Sequence, residues 1–157
     1  HTEEVPSFLP DRFEPGTPNI PGILGLHAAL CDLEQTDMDK LHQHELELTQ
    51  YFINGLMQMD PSESTLRAIG KHNTIERTSV VSVQTLQTDM ARVAYEMDDT
   101  YGIMTRVGLH CAPSAHKTLG TYPEGTIRFS FGPENTHHEV DLALHALAEI
   151  TGSPYHL

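Results

Sequence analysis

A thiol, two guanidinium groups and two imidazoles fall within residues 101–132, YGIMTRVGLHCAPSAHKTLGTYPEGTIRFSFG. Cys111 is one of two cysteines in the chain, Arg106 and Arg128 are two of six arginines, and His110 and His116 are two of eleven histidines. Such groups can carry chemistry where a rigid fold holds them together. The thiolate is the reactive form of cysteine, and nearby Arg106 and His110 would favour it. Arg128 stands between Ile127 and Phe129. An unpaired buried charge costs several kcal/mol, so the face it shares with Thr126 and Ser130 is polar or is turned to an anion. Taken singly, each residue has a plainer reading. A lone cysteine is usually a small buried hydrophobe, and His110 and His116 alone would serve as surface or capping residues.

The elements that must position this group follow from periodicity. Ile103, Thr105 and Val107 alternate with Met104 and Arg106, which predicts a strand ended by Gly108. Leu109, His110 and Cys111 then form a loop. Residues 112–119 predict a short helix, with Pro113 tolerated in its first turn and Gly120 ending it. Residues 126–131 alternate again, and Gly132-Pro133 closes that strand. The reactive groups therefore belong at strand ends and in the loop between, where a rigid sheet can hold them.

Elsewhere the pattern is helices with a few strands. Residues 1–18, rich in Pro, Glu and Ser, are extended or looped. A helix opens at Asn19 or Pro21 and runs to about Leu33, with Ile23, Leu26, Leu30 and Leu33 on one face. Cys31 sits at the edge of that face, where packing is the default role. Thr36 reads as the N-cap of a second helix to about Met57, striped by Leu41, Leu48, Phe52 and Leu56. Strands are expected at residues 66–69 and 78–85. Thr88 caps a helix to about Asp98, which buries Met90, Val93, Ala94 and Met97. Thr136 to Glu139 is a capping box for a last helix whose apolar face is Val140, Ala143, Leu144, Leu147 and Ile150. The sum is an α+β fold, a small, mainly antiparallel sheet covered by helices.

Composition excludes several functions. One domain is expected from 157 residues, and a chain of this size buries roughly 70% of its unfolded surface. The formal net charge of −13 argues against nucleic acid, whose phosphates need clustered Lys and Arg. No apolar run approaches the roughly 20 residues that span a membrane. Two cysteines far apart make no disulfide scaffold and suit a reducing cytoplasm. The chain begins without methionine on a loop-like stretch and reads as a piece of a longer protein.

Three motifs give a family resemblance. Arg106-x-Gly108-x-x-Cys111-Ala112 resembles the active-cysteine motif of one branch of the cysteine desulfurases, which are pyridoxal-phosphate enzymes of the class V aminotransferase family. Arg128-Phe129-Ser130-Phe131, then Asn135-Thr136 and Glu139-Val140-Asp141, resembles the family's carboxylate-binding arginine and last helix. Arg12-Phe13-Glu14-Pro15-Gly16-Thr17-Pro18-Asn19 is similar to its R-[FY]-E-x-G-T-x-N segment. The motifs stand in the family's order and cover nearly the whole chain.

The resemblance implies the C-terminal small domain of a fold-type I pyridoxal-phosphate enzyme. Residues 1–35 would be a linker and connecting helix from the large domain, and residues 36–157 the small domain. The reaction implied takes L-cysteine to L-alanine and leaves the sulfur as a persulfide on Cys111. Arg128, Arg106 and His110 would bind substrate. Thr17 would contact the cofactor phosphate across a homodimer interface, with Gly16 and Asn19 shaping its loop. A sulfur-acceptor protein is a further partner. The cofactor's Schiff-base lysine would lie upstream of this sequence, leaving the fragment alone inactive. Lys117 follows Cys111 too closely to be that lysine, although His116-Lys117 imitates the family's dipeptide. Alternatives are a selenocysteine lyase, another class V lyase or aminotransferase, and a non-catalytic acidic interaction domain. No metal site is expected, since the histidine spacings fit no zinc signature. No nucleophile-elbow pattern supports serine catalysis.

Overall fold

The computed structural model describes residues 6–14 and 16–154. Residues 1–5, Pro15 of the first motif and residues 155–157 lie outside them. The chain divides into two compact units, residues 1–38 and 39–157.

In the first unit, α1 (Ile20–Gln35) starts where Asn19 Oδ1 accepts the Gly22 N–H at 3.2 Å. Pro21 fits the first turn because its missing N–H would have no helical partner. Thr36 ends this helix and does not start the next. It is extended at φ −88°, its N–H donates to Leu33 O at 3.1 Å and its hydroxyl donates to Asp32 O at 2.9 Å. A threonine can satisfy a helix at either end, and here the free carbonyls behind it took the hydroxyl. None of the α1 residues is buried; Ile23, Leu26, Leu30 and Leu33 are 46 to 62% exposed.

The remaining elements are α2 (Met38–Met59), β1 (Leu66–Ile69), β2 (Val80–Thr85), α3 (Met90–Tyr101), β3 (Arg106–Gly108), α4 (Pro113–Leu119), β4 (Thr126–Ser130) and α5 (His137–Thr151). The sheet has the order β1-β2-β4-β3, antiparallel throughout, so the α+β expectation holds. Side chains alternate across a strand, and the two faces differ sharply. Leu66, Ala68, Val81, Val83, Ile127 and Phe129 are buried with Leu48 and Phe52 of α2, Val93 and Met97 of α3, and Leu144 and Leu147 of α5. The Phe52 ring centre lies 4.7 Å from that of Phe129. The opposite parity carries Arg67, Ser82, Gln84, Thr126, Arg128 and Arg106. One row across it reads Ile69, Ser82, Arg128, Arg106.

The strand expected from Ile103 shrinks to Arg106–Gly108 for a local reason. Gly102, left-handed at φ 67°, caps α3, and the Ile103 N–H reaches back to Met97 O at 2.8 Å. The Gly102 N–H donates to Asp98 O at 3.0 Å, the αL form of helix end, which often carries an apolar contact; Ile103 packs on the core there. Its hydrophobicity serves the cap and not a strand. Asp89, not Thr88, caps α3 by accepting the Arg92 N–H at 2.8 Å. The capping box of α5 forms as expected, with Thr136 N donating to Glu139 Oε2 at 2.7 Å and Glu139 N to Thr136 Oγ1 at 3.3 Å.

A buried carboxylate joins α2 to the sheet. Asp60, 7% exposed, accepts from Thr65 N at 2.6 Å, Leu66 N at 3.0 Å and Ser62 Oγ at 2.9 Å. Burial works to raise its pKa, but the bonds from Leu66, Thr65, Ser62 and Ser64 together hold it well below the usual carboxylate range. A lowered folded pKa gives stability that is present above the unfolded value, near 3.9, and is lost as pH falls below it. Asp60→Ala should therefore lower the unfolding free energy in urea by about 2 kcal/mol at neutral pH. The gap to wild type should narrow below about pH 4. Equal urea midpoints at neutral pH would remove Asp60 from the fold's support.

Candidate active site

β3 hands the chain to the cysteine loop at Gly108, whose φ is 110°. Gly125, buried at φ 84°, crosses against this point, and a Cβ on it would overlap the Gly108 backbone. The loop then makes a tight turn, with Ala112 N donating to Leu109 O at 2.8 Å. His110 and Cys111 are both left-handed, at φ 49° and 60°. Outside glycine that conformation costs roughly 1–2 kcal/mol per residue, and it persists where surrounding structure over-determines it.

This geometry brings together four of the residues singled out in the sequence. The Cys111 thiol is exposed, with Sγ 4.0 Å from Arg106 Nη2. Arg106 stands directly opposite Arg128 in the β3–β4 register. Like charges in that relation repel, yet neither guanidinium has a carboxylate partner among the described residues. Arg128 Nε is buried without any hydrogen-bond partner. An arrangement of this kind is completed by an anion, and a planar carboxylate matches the guanidinium fork.

His110 faces β4, with Nε2 3.2 Å from Thr126 O and 3.3 Å from Thr126 Oγ1. Burial and then the charge of Arg128 push its pKa below the ordinary 6.5; Arg106 and His116 add to this, and the Thr126 bond opposes it. The ring is therefore neutral at neutral pH. His116 is buried on α4, its Nδ1 2.6 Å from Thr121 Oγ1 and its ring centre 5.8 Å from that of His110. Strand alternation places Thr126, 1% exposed, on the Arg128 face, but its bond to His110 has no signal in the sequence. Gln84 gives no such signal either. It receives Arg67 Nη2 on Oε1 and donates from Nε2 to Gly125 O at 3.3 Å, supporting the turn before β4.

Gly16, Thr17 and Asn19 belong to the first unit. Gly16 and Thr17, both exposed, line a shallow hollow with Glu14 and Pro18, and the Gly16 N–H donates to Glu14 O at 2.9 Å. Asn19 is occupied as the α1 cap. Cys31 is half-buried, with Sγ 3.7 Å from His27 Nδ1 one turn earlier. Lys71 pairs with Glu76 at 3.0 Å, and Lys117 Nζ lies 5.0 Å over the Tyr122 ring. Among the described residues no three His, Cys, Asp or Glu side chains gather as metal ligands, and no helix is long and apolar enough to cross a membrane.

Residues 3–143 match the family model described as aminotransferase class-V. A probable cysteine desulfurase of Pyrococcus abyssi is 35% identical over 144 residues, 92% of this chain and 34% of that protein. One from Borreliella burgdorferi is 32% identical over 135 residues, 86% of this chain and 31% of that one. The apo cysteine desulfurase of Thermococcus onnurineus NA1 superposes with a TM-score of 0.78 at 33% identity, covering 91% of this chain and 34% of the other. For the cysteine desulfurase CsdA of Escherichia coli the TM-score is 0.71 at 27% identity, with 85% and 31% covered. The chain thus spans about a third of the length of these relatives.

Proposed function

The chain belongs to the class V aminotransferase family, and from that premise we propose that the protein carrying it is a pyridoxal-phosphate-dependent cysteine desulfurase. It converts L-cysteine to L-alanine and keeps the sulfur as a persulfide on Cys111. The observation that supports this most is the unpaired Arg106–Arg128 couple in register beside an exposed thiol. Arg128 holds the substrate carboxylate in a two-pronged contact, and Arg106 adds a second cation over the same space. Cys111, as thiolate, attacks the substrate sulfur. The new S–S bond forms as the C–S bond breaks, and the electron pair of the broken bond stays with the alanine skeleton. Thiolate suits this step because sulfur is a soft nucleophile at low proton affinity.

The residues of this chain fit pyridoxal phosphate in part. The exposed Thr17 hydroxyl and the Gly16 backbone suit its phosphate. No lysine here suits the Schiff base: Lys71 is paired with Glu76, Lys117 lies over Tyr122, and Lys40 sits on α2. We place that lysine in the part of the relatives' length that this chain does not match. When bound, the cofactor supplies the electron sink. In the same reading residues 1–35 link to the cofactor-bearing domain, Thr17 reaches the phosphate of a second subunit, and the persulfide passes to an acceptor protein in the cytoplasm.

Release of alanine and sulfide from cysteine by the full-length protein tests the reading; no turnover would end it. A narrower expectation concerns the isolated chain. Mixed with pyridoxal phosphate, it should give no stoichiometric near-visible absorbance band. A band abolished by Lys117→Ala would place the Schiff base on Lys117.

A further inference from the structure

We infer that His110 is a positioning residue: its imidazole straps the cysteine loop to β4 through Thr126 and so fixes where the thiol stands relative to Arg128. This deepens the desulfurase reading and rests on it. The family resemblance alone would have His110 contact substrate.

Hydrogen-bond accounting carries the argument. The backbone turn from Ala112 N to Leu109 O lies within the loop and ties it to nothing else. The bond from His110 to Thr126 spans 16 positions and joins the loop to the neighbouring strand. A carbonyl oxygen can only accept, so Nε2 carries the proton and donates to Thr126 O. The tautomer follows from the network. Nδ1 is then a lone pair, and it is buried without a partner. The one donor of the neutral ring is therefore spent on β4 and is not presented to a ligand. Protonating Nδ1 would bury a second N–H with nothing to receive it. The charged and titratable groups around the ring are Arg106 from β3, Arg128 from β4 and His116 from α4, and all three disfavour a further positive charge. The strap thus remains in its neutral form.

What the strap holds is costly to leave unheld. His110 and Cys111 are consecutive left-handed residues, and histidine tolerates that region better than most side chains. Thr126 and Arg128 lie two residues apart on one strand face, about 7 Å along it. The anchor of the thiol and the carboxylate clamp are thereby measured from the same rigid strand. A displacement of about 1 Å in reacting groups can lower a rate by 10²-fold.

The test uses the full-length enzyme and His110→Asn. Asparagine keeps a residue that accepts the left-handed backbone but is too short to repeat the Thr126 bond. Expected are a kcat for cysteine lowered about 10- to 100-fold, a Kd for alanine within about twofold of wild type, since alanine needs only the carboxylate clamp, and faster amide hydrogen exchange in residues 109–112. Thr126→Val keeps the carbonyl acceptor and should cost no more than about threefold. A Kd for alanine that rises in step with the loss of kcat/KM would make His110 a substrate contact and overturn the proposal. Wild-type kcat in His110→Asn would overturn it as well. Cys111→Ser in the same assay separates the two levels: turnover surviving that change would sink the desulfurase reading itself, whatever His110 does.

Discussion

Cys111→Ser in the full-length enzyme should abolish release of alanine and sulfide from cysteine, with a loss on the order of 10³-fold or more, while cysteine still binds. In the proposed reading binding rests on Arg128 and the cofactor, neither of which touches the hydroxyl-for-thiol exchange. Sulfur transfer requires a nucleophile that ionises readily and can hold a second sulfur; a serine hydroxyl does neither. The loop should survive the change, because its shape depends on the His110 bond and the Leu109–Ala112 turn. Mass spectrometry after a single turnover should find one added sulfur on Cys111 of the wild type and none on Cys31. Cys31→Ser should be close to silent. Sulfur recovered on Cys31, or full activity in Cys111→Ser, would overturn the mechanism. Activity kept on selenocysteine alone would favour the lyase alternative, since selenium leaves more easily than sulfur.

Arg128→Ala should weaken kcat/KM for cysteine by about 3 kcal/mol, roughly 10²-fold, with KM carrying most of it. In the proposed reading, removing one guanidinium takes away the two-pronged contact to the carboxylate. It also relieves the repulsion across the β3–β4 register, where Arg106 faces Arg128. The free protein should therefore be no less stable in urea, and the defect should appear only with substrate. Arg128→Lys should recover part of the loss, because an ammonium restores charge but not the fork. Unchanged steady-state kinetics in both variants would remove Arg128 from the site.

Much of the second unit is legible from local pattern. β4 and α5 follow from alternation and from Thr136 and Glu139, whose capping box is written in four consecutive residues. β3 is not, because Ile103 looks the same whether it starts a strand or closes α3 over Gly102. Thr36 has the same ambiguity, since its hydroxyl suits either end of a helix. In the site, Cys111, Arg106 and Arg128 announce themselves by type. Thr126 and Gln84 do not, because their roles depend on partners 16 and 41 positions away. No window of sequence contains both ends of such a bond. His110 shows a further limit: the resemblance has it contact substrate, and its type alone says nothing of a bond to a residue 16 positions away.

The difference between the two faces of the sheet has an electrical consequence. With a net charge of −13, the chain as a whole repels a carboxylate. Yet Arg67, Arg106 and Arg128 share the face turned from the covering helices, whereas Glu47, Asp98, Asp99 and Glu149 are exposed on those helices. The arginines of the sheet are thus gathered on one face. Arg106 of that group lies beside the thiol. Within a Debye length, about 8 Å at physiological salt, the carboxylate of a zwitterionic amino acid meets a local charge opposite in sign to the net charge of this chain. In the proposed reading that local potential would turn the substrate carboxylate-first before contact, and added salt would weaken it.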